Sequence, residues 1–229
     1  MGNSLIASLA AAVAAASNAA APPHLGTTEL AARPLRPTVV LRAGPHGRAL
    51  VRVGPRGALG GPLVLGVVGV RGPWVEVTAQ ALPNGHFGWV KFGRDVAVHP
   101  VRWTLRVSLA RHELAVLHGD RVIRRIRVGI GRQSSPTPTG RFAVAEKLSG
   151  AFGPAFGCCI LALTAHQPRL PVGWNRHVTY YIAIHAGAGE GSAVSAGCLH
   201  MREADVRYLM RTIPLGTPVQ ISRAMIRAA

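Results

Sequence analysis

Residues 180–201 read YYIAIHAGAGEGSAVSAGCLHM, and they carry more structural and chemical information than any other stretch of the chain. A short β-type run ends at His185, a loop of small residues follows, and Cys198 stands 13 residues after His185. A cysteine is a good nucleophile only as a thiolate, and a nearby imidazole favours that form by taking or sharing the proton. The glycines of the loop make it easy to fold His185 back onto Cys198. Two interpretations stay open: a catalytic thiol with a histidine base, or a buried structural cysteine and a histidine on a surface loop.

The residues around this stretch, from Val101 to Ser222, predict a β-rich unit. Residues 103–109 alternate with a period of two, which is typical of a half-buried strand. Further strands are predicted at 113–117, 122–128, 142–145 and 219–221. Gly119-Asp120 favours a tight turn between two of them. The apolar spacing of residues 203–211 predicts a short amphipathic helix after Cys198.

The preceding residues, 38–100, consist of short apolar runs broken by glycine and proline, a pattern that predicts a small β-barrel. The runs Gly72-Pro73-Trp74-Val75-Glu76-Val77 and Pro83-Asn84-Gly85-His86-Phe87-Gly88-Trp89-Val90 resemble the last strands of bacterial SH3-like domains. That resemblance implies a module that binds cell-wall material or packs beside a wall enzyme. A purely structural barrel with two core tryptophans is the alternative.

The first 37 residues are predicted to be a signal-like, alanine-rich segment followed by a linker. The apolar run from Leu5 to Ala16 has the length of a signal-peptide core, and the small residues after it suit cleavage. No lysine or arginine precedes the run, so a plain alanine-rich tail is the alternative. The prediction is export to the cell wall, the periplasm or another extracytoplasmic site. Residues 223–229 are predicted to be a tail.

Charge and composition narrow the class of partner. The chain has 26 Lys and Arg against 9 Asp and Glu, a net charge of +17. Such an excess suggests a polyanionic partner, although a solvated surface rich in arginine is the simpler alternative. Aromatic residues are 5% of the chain and do not interleave with the arginines, and no helix-turn-helix or zinc-finger spacing occurs, so no nucleic-acid partner is expected. The body of the chain has no apolar stretch as long as a membrane-spanning helix, which excludes a polytopic membrane protein.

The three cysteines are Cys158, Cys159 and Cys198. Adjacent cysteines seldom pair, because a disulfide prefers Cα atoms farther apart than neighbours comfortably allow. Cys158 and Cys159 are therefore expected to be buried and inert in an apolar strand. The spacing of a structural zinc site is absent, and neither a metal nor an organic cofactor is expected.

Several motifs that follow one another along the chain favour the catalytic interpretation of His185 and Cys198. Ile-His185-x-Gly, Ser195-x-Gly197-Cys198-Leu-x-Met, Asp205-Val-x-x-Leu and Gly216-Thr-Pro-Val-x-Ile resemble the L,D-transpeptidase catalytic domain of bacterial cell-wall enzymes. Gly131 and the later Pro-Thr-Pro-Thr-Gly140-x-Phe are similar to an earlier signature of that family. The resemblance covers 101–222, about half of the chain.

The resemblance implies a fold, a reaction and residue roles. The fold is mainly β, with a short helix after the catalytic cysteine. Cys198 matches the nucleophile, which attacks the third residue of a peptidoglycan donor stem and expels the terminal D-Ala. His185 matches the proton donor and acceptor. Ser195 and Gly197 match flanking positions whose backbone groups orient the imidazole and the oxyanion. An amine of a second stem then resolves the thioester into a 3→3 crosslink.

Two positions depart from the family pattern. Ala196 stands where the family usually has a second histidine, which leaves His185 as the natural base of the motif. His200 stands where Arg or Asn is usual, so His200 or Arg202 is expected to contact a substrate carboxylate; a solvent-facing role for His200 is the alternative. The expected partners are stem peptides and anionic wall polymers, with inhibition by carbapenems. Alternative functions are a wall-binding module with little catalysis, and a Cys-dependent L,D-carboxypeptidase or amidase.

Overall fold

The structure is a computed structural model, which describes residues 29–150, 155–170 and 180–224. Its strands form two large sheets and one small one. The strands are β1 Glu29–Pro34, β2 Val39–Arg42, β3 Ala49–Val53, β4 Leu65–Arg71, β5 Trp74–Thr78, β6 Gly88–Lys91, β7 Val96–Val101, β8 Trp103–Ser108, β9 Glu113–His118, β10 Arg121–Arg127, β11 Ile130–Gly131, β12 Gly140–Ser149, β13 Cys159–His166, β14 Tyr181–Ala186, β15 Ala193–Ser195, β16 Leu199–Met201 and β17 Pro218–Ser222. One helix, α1, spans Glu203–Thr212 within the described residues.

The first sheet takes its strands from β1 to β7, in the order β3-β2-β6-β5-β4-β1-β7, and all pairs are antiparallel. Its core is built from inward side chains such as Leu41, Leu65 and Val77, all fully buried. We refer to this part as the first unit. An SH3-like fold for it stays a prediction.

The expected linker up to Pro37 is wrong for residues 29–34, which form β1. This strand pairs with β7 over six residues and with β4 on its other side. Ala31 and Ala32 are completely buried and pack into two different apolar clusters, because successive side chains of a strand point to opposite faces. The predicted signal-like segment, residues 1–28, lies outside the described residues, as do residues 225–229 of the predicted tail.

The second sheet has the order β10-β9-β8-β17-β12-β13-β14-β16 and begins directly after the first ends, at Arg102. Most pairs are antiparallel; β17 with β8 and β14 with β16 are parallel. The mainly β fold with a short helix after Cys198 is confirmed. The helix buries Val206 and Leu209 against the sheet, and its first turn carries Glu203 and Asp205, which suit the positive end of a helix dipole.

Polar contacts join the first unit to the second sheet. Thr78 and Thr164 share a buried hydroxyl hydrogen bond of 2.9 Å. Asn84 donates to the His166 carbonyl at 2.7 Å and accepts from its N–H at 2.8 Å. Buried groups of this kind are stable only when they are paired, so the contacts fix how the two sheets meet.

Cys158 and Cys159 are joined by a disulfide, so the expectation that these neighbours stay unpaired is wrong. The pair lies where the chain turns into β13, whose first residue is Cys159. Cys198 is then the free thiol of the chain. No helix of the described residues is long and apolar enough to cross a membrane.

Candidate functional site

The candidate site lies on one face of the second sheet, where β13, β14 and β16 run side by side. His185 of β14 stands opposite His200 of β16 and opposite Ile160 of β13. The Ala183 N–H, two residues before His185, points to the Cys198 Sγ at 3.4 Å. The Cys198 side chain packs against the buried Ala183 side chain. Because side chains two residues apart in a strand share a face, and paired residues on adjacent strands do too, the thiol and both imidazoles lie on the same side of the sheet. The structure therefore brings together Cys198, His185 and His200.

A turn from Ser195 to Cys198 carries the thiol, and its own serine shapes it. The Ser195 hydroxyl donates to the Cys198 carbonyl at 2.7 Å and accepts from the Gly197 N–H at 3.0 Å. The Ser195 hydroxyl thus orients the backbone of the turn; that the backbone of Ser195 orients the imidazole stays a prediction. The Gly197 N–H is already occupied and is not free to hold an oxyanion.

Two further side chains hold the turn, and sequence reasoning missed the role of both. The buried Gln167 donates through Nε2 to the carbonyl of Ala196 at 2.6 Å and to that of Pro136 at 3.1 Å. The Thr137 hydroxyl donates to the Gly197 carbonyl at 2.8 Å and accepts from the Gly131 N–H at 2.8 Å. Thr137 belongs to a motif that the sequence displays, whereas nothing in the sequence singles out Gln167.

Gly197 is required by the geometry of the turn. Its φ is 122°, a backbone conformation that side chains other than glycine rarely adopt. A Cβ at this position would lie 2.2 Å from Gln167 Nε2 and 2.8 Å from Ile182 Cδ1. The absence of a Cβ at Gly197 therefore leaves room for the Gln167 side chain to bond the turn, and it also leaves the sulfur more accessible.

His185 is 3% exposed and is held as a neutral base. Its Nδ1 lies 2.8 Å from the Ala186 carbonyl, which can only accept, so Nδ1 carries the proton and Nε2 is the free acceptor. Burial, reinforced by the nearby His200, lowers the pKa of His185 to about 4. The rings of Phe156 and His200 flank it at 4.7 and 4.6 Å between centroids.

The Cys198 thiol is held in its protonated form. Burial raises its pKa to about 11, although the Ala183 N–H partly offsets the effect. The hydrogen bonds of these residues include none between Sγ and the His185 imidazole; Sγ itself lies 4.0 Å from the Tyr181 carbonyl. Since both shifts favour uncharged groups, the resting pair is a thiol and a neutral imidazole, and the thiolate forms only as the proton leaves.

The two expected carboxylate contacts differ in position. His200 is partly exposed beside His185, and its Nδ1 donates to the Ala188 carbonyl at 3.2 Å. Arg202, just before α1, has a side chain that is 82% exposed and lies 4.0 Å from Glu190. His200 therefore lies beside His185, whereas the side chain of Arg202 extends into solvent at the edge of the site. The described residues contain no cluster of three His, Cys, Asp or Glu that would hold a metal ion.

Comparisons with known proteins identify the family of the region that contains this site. Residues 102–221 match the family described as YkuD, L,D-transpeptidase catalytic domain. Two proteins named YkuD and described as candidate L,D-transpeptidases are similar in sequence. The one from Bacillus licheniformis is 28% identical over 153 residues, covering 64% of this chain and 86% of the relative. The one from Bacillus subtilis is 29% identical over 125 residues, covering 55% of this chain and 69% of the relative.

Solved structures are also similar to parts of the chain. L,D-transpeptidase 3 from Mycobacterium tuberculosis, in complex with a faropenem-derived adduct, gives a TM-score of 0.43 at 15% identity and covers 69% of this chain and 93% of its own. Bd1075 from Bdellovibrio bacteriovorus gives 0.41 at 22% identity and covers 53% of this chain and 48% of its own.

Proposed function

We propose that this chain, which belongs to the L,D-transpeptidase catalytic domain family, joins peptidoglycan stems by 3→3 crosslinks through a thioester on Cys198. One observation carries the proposal: Cys198 and His185 lie on one sheet face, on neighbouring strands, with the His185 Nε2 free to accept a proton. The match to the family spans the whole second sheet except its last residue, Ser222, so both side chains fall inside it.

The proposed first half-reaction acylates the thiol. Sγ attacks the carbonyl carbon of the third residue of the donor stem while its proton passes to the His185 Nε2. The tetrahedral intermediate then collapses, the bond to the terminal D-Ala breaks, and the leaving amine takes the proton from Nε2. Because the resting groups are neutral, binding does not have to desolvate an existing ion pair, and charge develops only as the bond forms.

The second half-reaction resolves the thioester. The side-chain amine of an acceptor stem attacks the acyl carbon, His185 removes a proton from that amine, and Sγ leaves and is reprotonated. The new amide is the crosslink. Water in place of the amine would give an L,D-carboxypeptidase or amidase from the same acyl-enzyme, because both outcomes share every earlier step.

Substrate anchoring and location form the rest of the proposal. His200, beside His185, is the nearer candidate for a stem carboxylate, and Arg202 a second one at the edge of the site. We assign the chain to an extracytoplasmic, wall-facing location, with the signal-like residues 1–23 directing export and the first unit acting as an SH3-like module. The net charge of +17 supports contact with anionic wall polymers.

The test is covalent labelling by a carbapenem, followed by mass spectrometry of the intact chain. We expect one adduct on the wild type, none on Cys198→Ala, and at least 100-fold slower labelling of His185→Ala, since a positioned base contributes about 10²–10⁴ in rate. The matched control is the double variant Cys158→Ser, Cys159→Ser, which should label like the wild type. An unlabelled wild type would contradict the catalytic proposal and favour a wall-binding module.

A second assay separates transfer from hydrolysis. The chain is incubated with a tetrapeptide donor, with and without an acceptor stem, and the products are identified by mass. Crosslinked dimer in the presence of the acceptor supports transfer. Release of D-Ala with a shortened donor, whether or not the acceptor is present, would show that the acyl-enzyme is hydrolysed and would contradict transfer.

A further inference from the structure

A tight loop of the first unit, Arg56–Pro62, reaches over to the sheet that carries the site. Its ends are joined by a bridge between Arg56 and Pro62, and within it the Gly57 N–H bonds the Gly61 carbonyl at 2.9 Å. The Ala58 N–H bonds the Gln80 Oε1 at 3.1 Å. The loop is therefore closed and shaped before any contact with the second sheet is considered.

One carboxylate of the second sheet anchors this loop. Glu146 of β12 is fully buried and accepts from the Leu59 N–H at 3.0 Å and from the Gly61 N–H at 2.7 Å. The ion pairs of the described residues do not include Glu146. A buried carboxylate is costly unless it is hydrogen-bonded, so these two bonds are what keep it there. At Gly57, a Cβ would lie 2.2 Å from the Glu146 Cδ, so the loop is fitted to the carboxyl.

The anchor stands in the same cross-strand row as the thiol. Glu146 is opposite Ala162, Ala162 is opposite Ala183, and the Ala183 N–H points to the Cys198 Sγ. Adjacent strands are about 4.8 Å apart, so three strand spacings separate the anchor from the thiol, about 14 Å. The two alanines between them are buried, at 0% and 6% exposed, and form an apolar floor beneath the side chains that cover it.

Leu59, at the tip of the loop, closes the other end of that floor. The buried residues Ile160, Ala162 and Ala183 form an apolar patch, and both Leu59 and Cys198 pack against it. Leu59 is only partly buried, and so is Cys198. An apolar strip, buried along its middle, thus runs from Leu59 to the sulfur, and its two ends are the parts that solvent reaches; the first unit supplies the far end.

We propose that Leu59 contacts the aliphatic part of the acyl donor and that Glu146 is the positioning residue that holds Leu59 in place. The inference rests on the proposed function for the identity of the donor, but not for the existence of the strip beside Cys198. It makes the first unit a part of the substrate site, in addition to any role in wall binding.

The test compares two alkylating reagents on the full chain at pH 9, iodoacetamide and its N-butyl derivative. The rate of Cys198 modification is followed by mass spectrometry, and the readout is the ratio of the two rate constants. In Leu59→Ala and in Glu146→Ala the preference for the butyl reagent should fall about fivefold, since each buried methylene is worth about fourfold. The double variant should fall no further, because Glu146 acts through Leu59.

Controls keep the result specific. Leu50→Ala truncates another partly buried leucine of the first unit, away from the site, and should keep the wild-type ratio. Leu59→Met preserves apolar volume and should also keep it. A ratio that is unchanged or raised in Leu59→Ala would overturn the inference.

The same variants separate this inference from the proposed function. With a tetrapeptide donor, Leu59→Ala should raise KM about fivefold at nearly constant kcat. A wild type that alkylates normally but takes no carbapenem would refute the proposed function and still leave the alkylation ratio to decide the role of Leu59.

Discussion

The turn Ser195–Cys198 and the loop Arg56–Pro62 are both irregular, glycine-containing segments over one face of the second sheet, but they are held differently. Three side chains tie the turn through four backbone groups: Gln167, Thr137 and Ser195. The loop has four side-chain bonds: one from its own Arg56, one from Gln80 of the first unit, and two from Glu146. Both bonds that tie the loop to the second sheet therefore come from one carboxyl, whereas the turn is held from outside by two different side chains, Gln167 and Thr137.

This difference follows from what each segment positions. The turn positions the Sγ of Cys198, the proposed nucleophile, where an error of 1 Å would cost about 10²-fold in rate, so redundant ties are favoured. The loop sets an apolar wall, which tolerates larger shifts. Breaking one tie should therefore weaken the turn only partly and release the loop largely.

The largest effect is expected for Gly197→Ala, with Gly60→Ala as the matched change in the loop. Both glycines have positive φ, 122° and 86°, which costs alanine about 1–2 kcal/mol. Only at Gly197 would the new Cβ also strike Gln167 and Ile182; at Gly60 nothing lies within 4 Å. Donor turnover should fall at least 100-fold in Gly197→Ala and less than threefold in Gly60→Ala, with unfolding in urea measured alongside. Equal losses of activity would remove the distinction between the two segments.

The second effect is expected for Glu146→Ala. The substitution leaves the N–H groups of Leu59 and Gly61 without their acceptor, and we expect the free energy of unfolding to fall by about 3 kcal/mol. Amide hydrogen exchange should accelerate at Leu59 and Gly61 while staying slow at Gly197. Fast exchange at Gly197 as well would mean that the two segments are coupled rather than separately anchored.

Local patterns in the sequence were sufficient for much of the fold. Alternation predicted β8, and the spacing of apolar residues predicted α1, because both signals lie within a few neighbouring residues. The strand β1 was missed because Glu-Leu-Ala-Ala-Arg-Pro has no alternation, and its partners, β4 and β7, lie more than thirty residues away.

The sequence was sufficient to predict the two central residues of the site, but not the side chains that hold them in position. Cys198 and His185 sit in a recognisable motif. Gln167 bonds Ala196, 29 positions away, and Glu146 bonds Gly61, 85 positions away. Such pairings depend on how distant strands come together, and no local pattern reports them.

Acid should lower the free energy of unfolding through a group on the side of the turn, because His185 is buried beside Cys198, whereas the loop Arg56–Pro62 contains no histidine. The pKa of His185 falls from 6.5 to about 4 on folding, so the unfolded chain binds the extra proton between these values. Its contribution to stability is present above pH 6.5 and is lost as the pH falls toward 4. Between pH 7.5 and pH 5 the loss should be about 2 kcal/mol by urea unfolding.

The matched variant for this measurement is His185→Asn, which should lose about 2 kcal/mol less over the same pH interval. His166 also has a pKa lowered by burial, but it is present in both chains and cancels in the difference. Identical pH dependence in the two chains would show that the imidazole is not buried as a neutral group.

The smallest effect is expected for Thr137→Val, which removes one tie of the turn and keeps its shape. The Gly131 N–H and the Gly197 carbonyl lose a shared partner, while Gln167 and Ser195 still hold the neighbouring groups. We expect a loss of about 1 kcal/mol in unfolding free energy and a fall in turnover of about fivefold, well short of Gly197→Ala. Thr137→Ser keeps the hydroxyl and should stay near the wild type in both measurements. Loss of all turnover in Thr137→Val would contradict this expectation, because it would mean that the remaining bonds do not hold Sγ in place. The turn would then depend on one side chain, as the loop depends on Glu146.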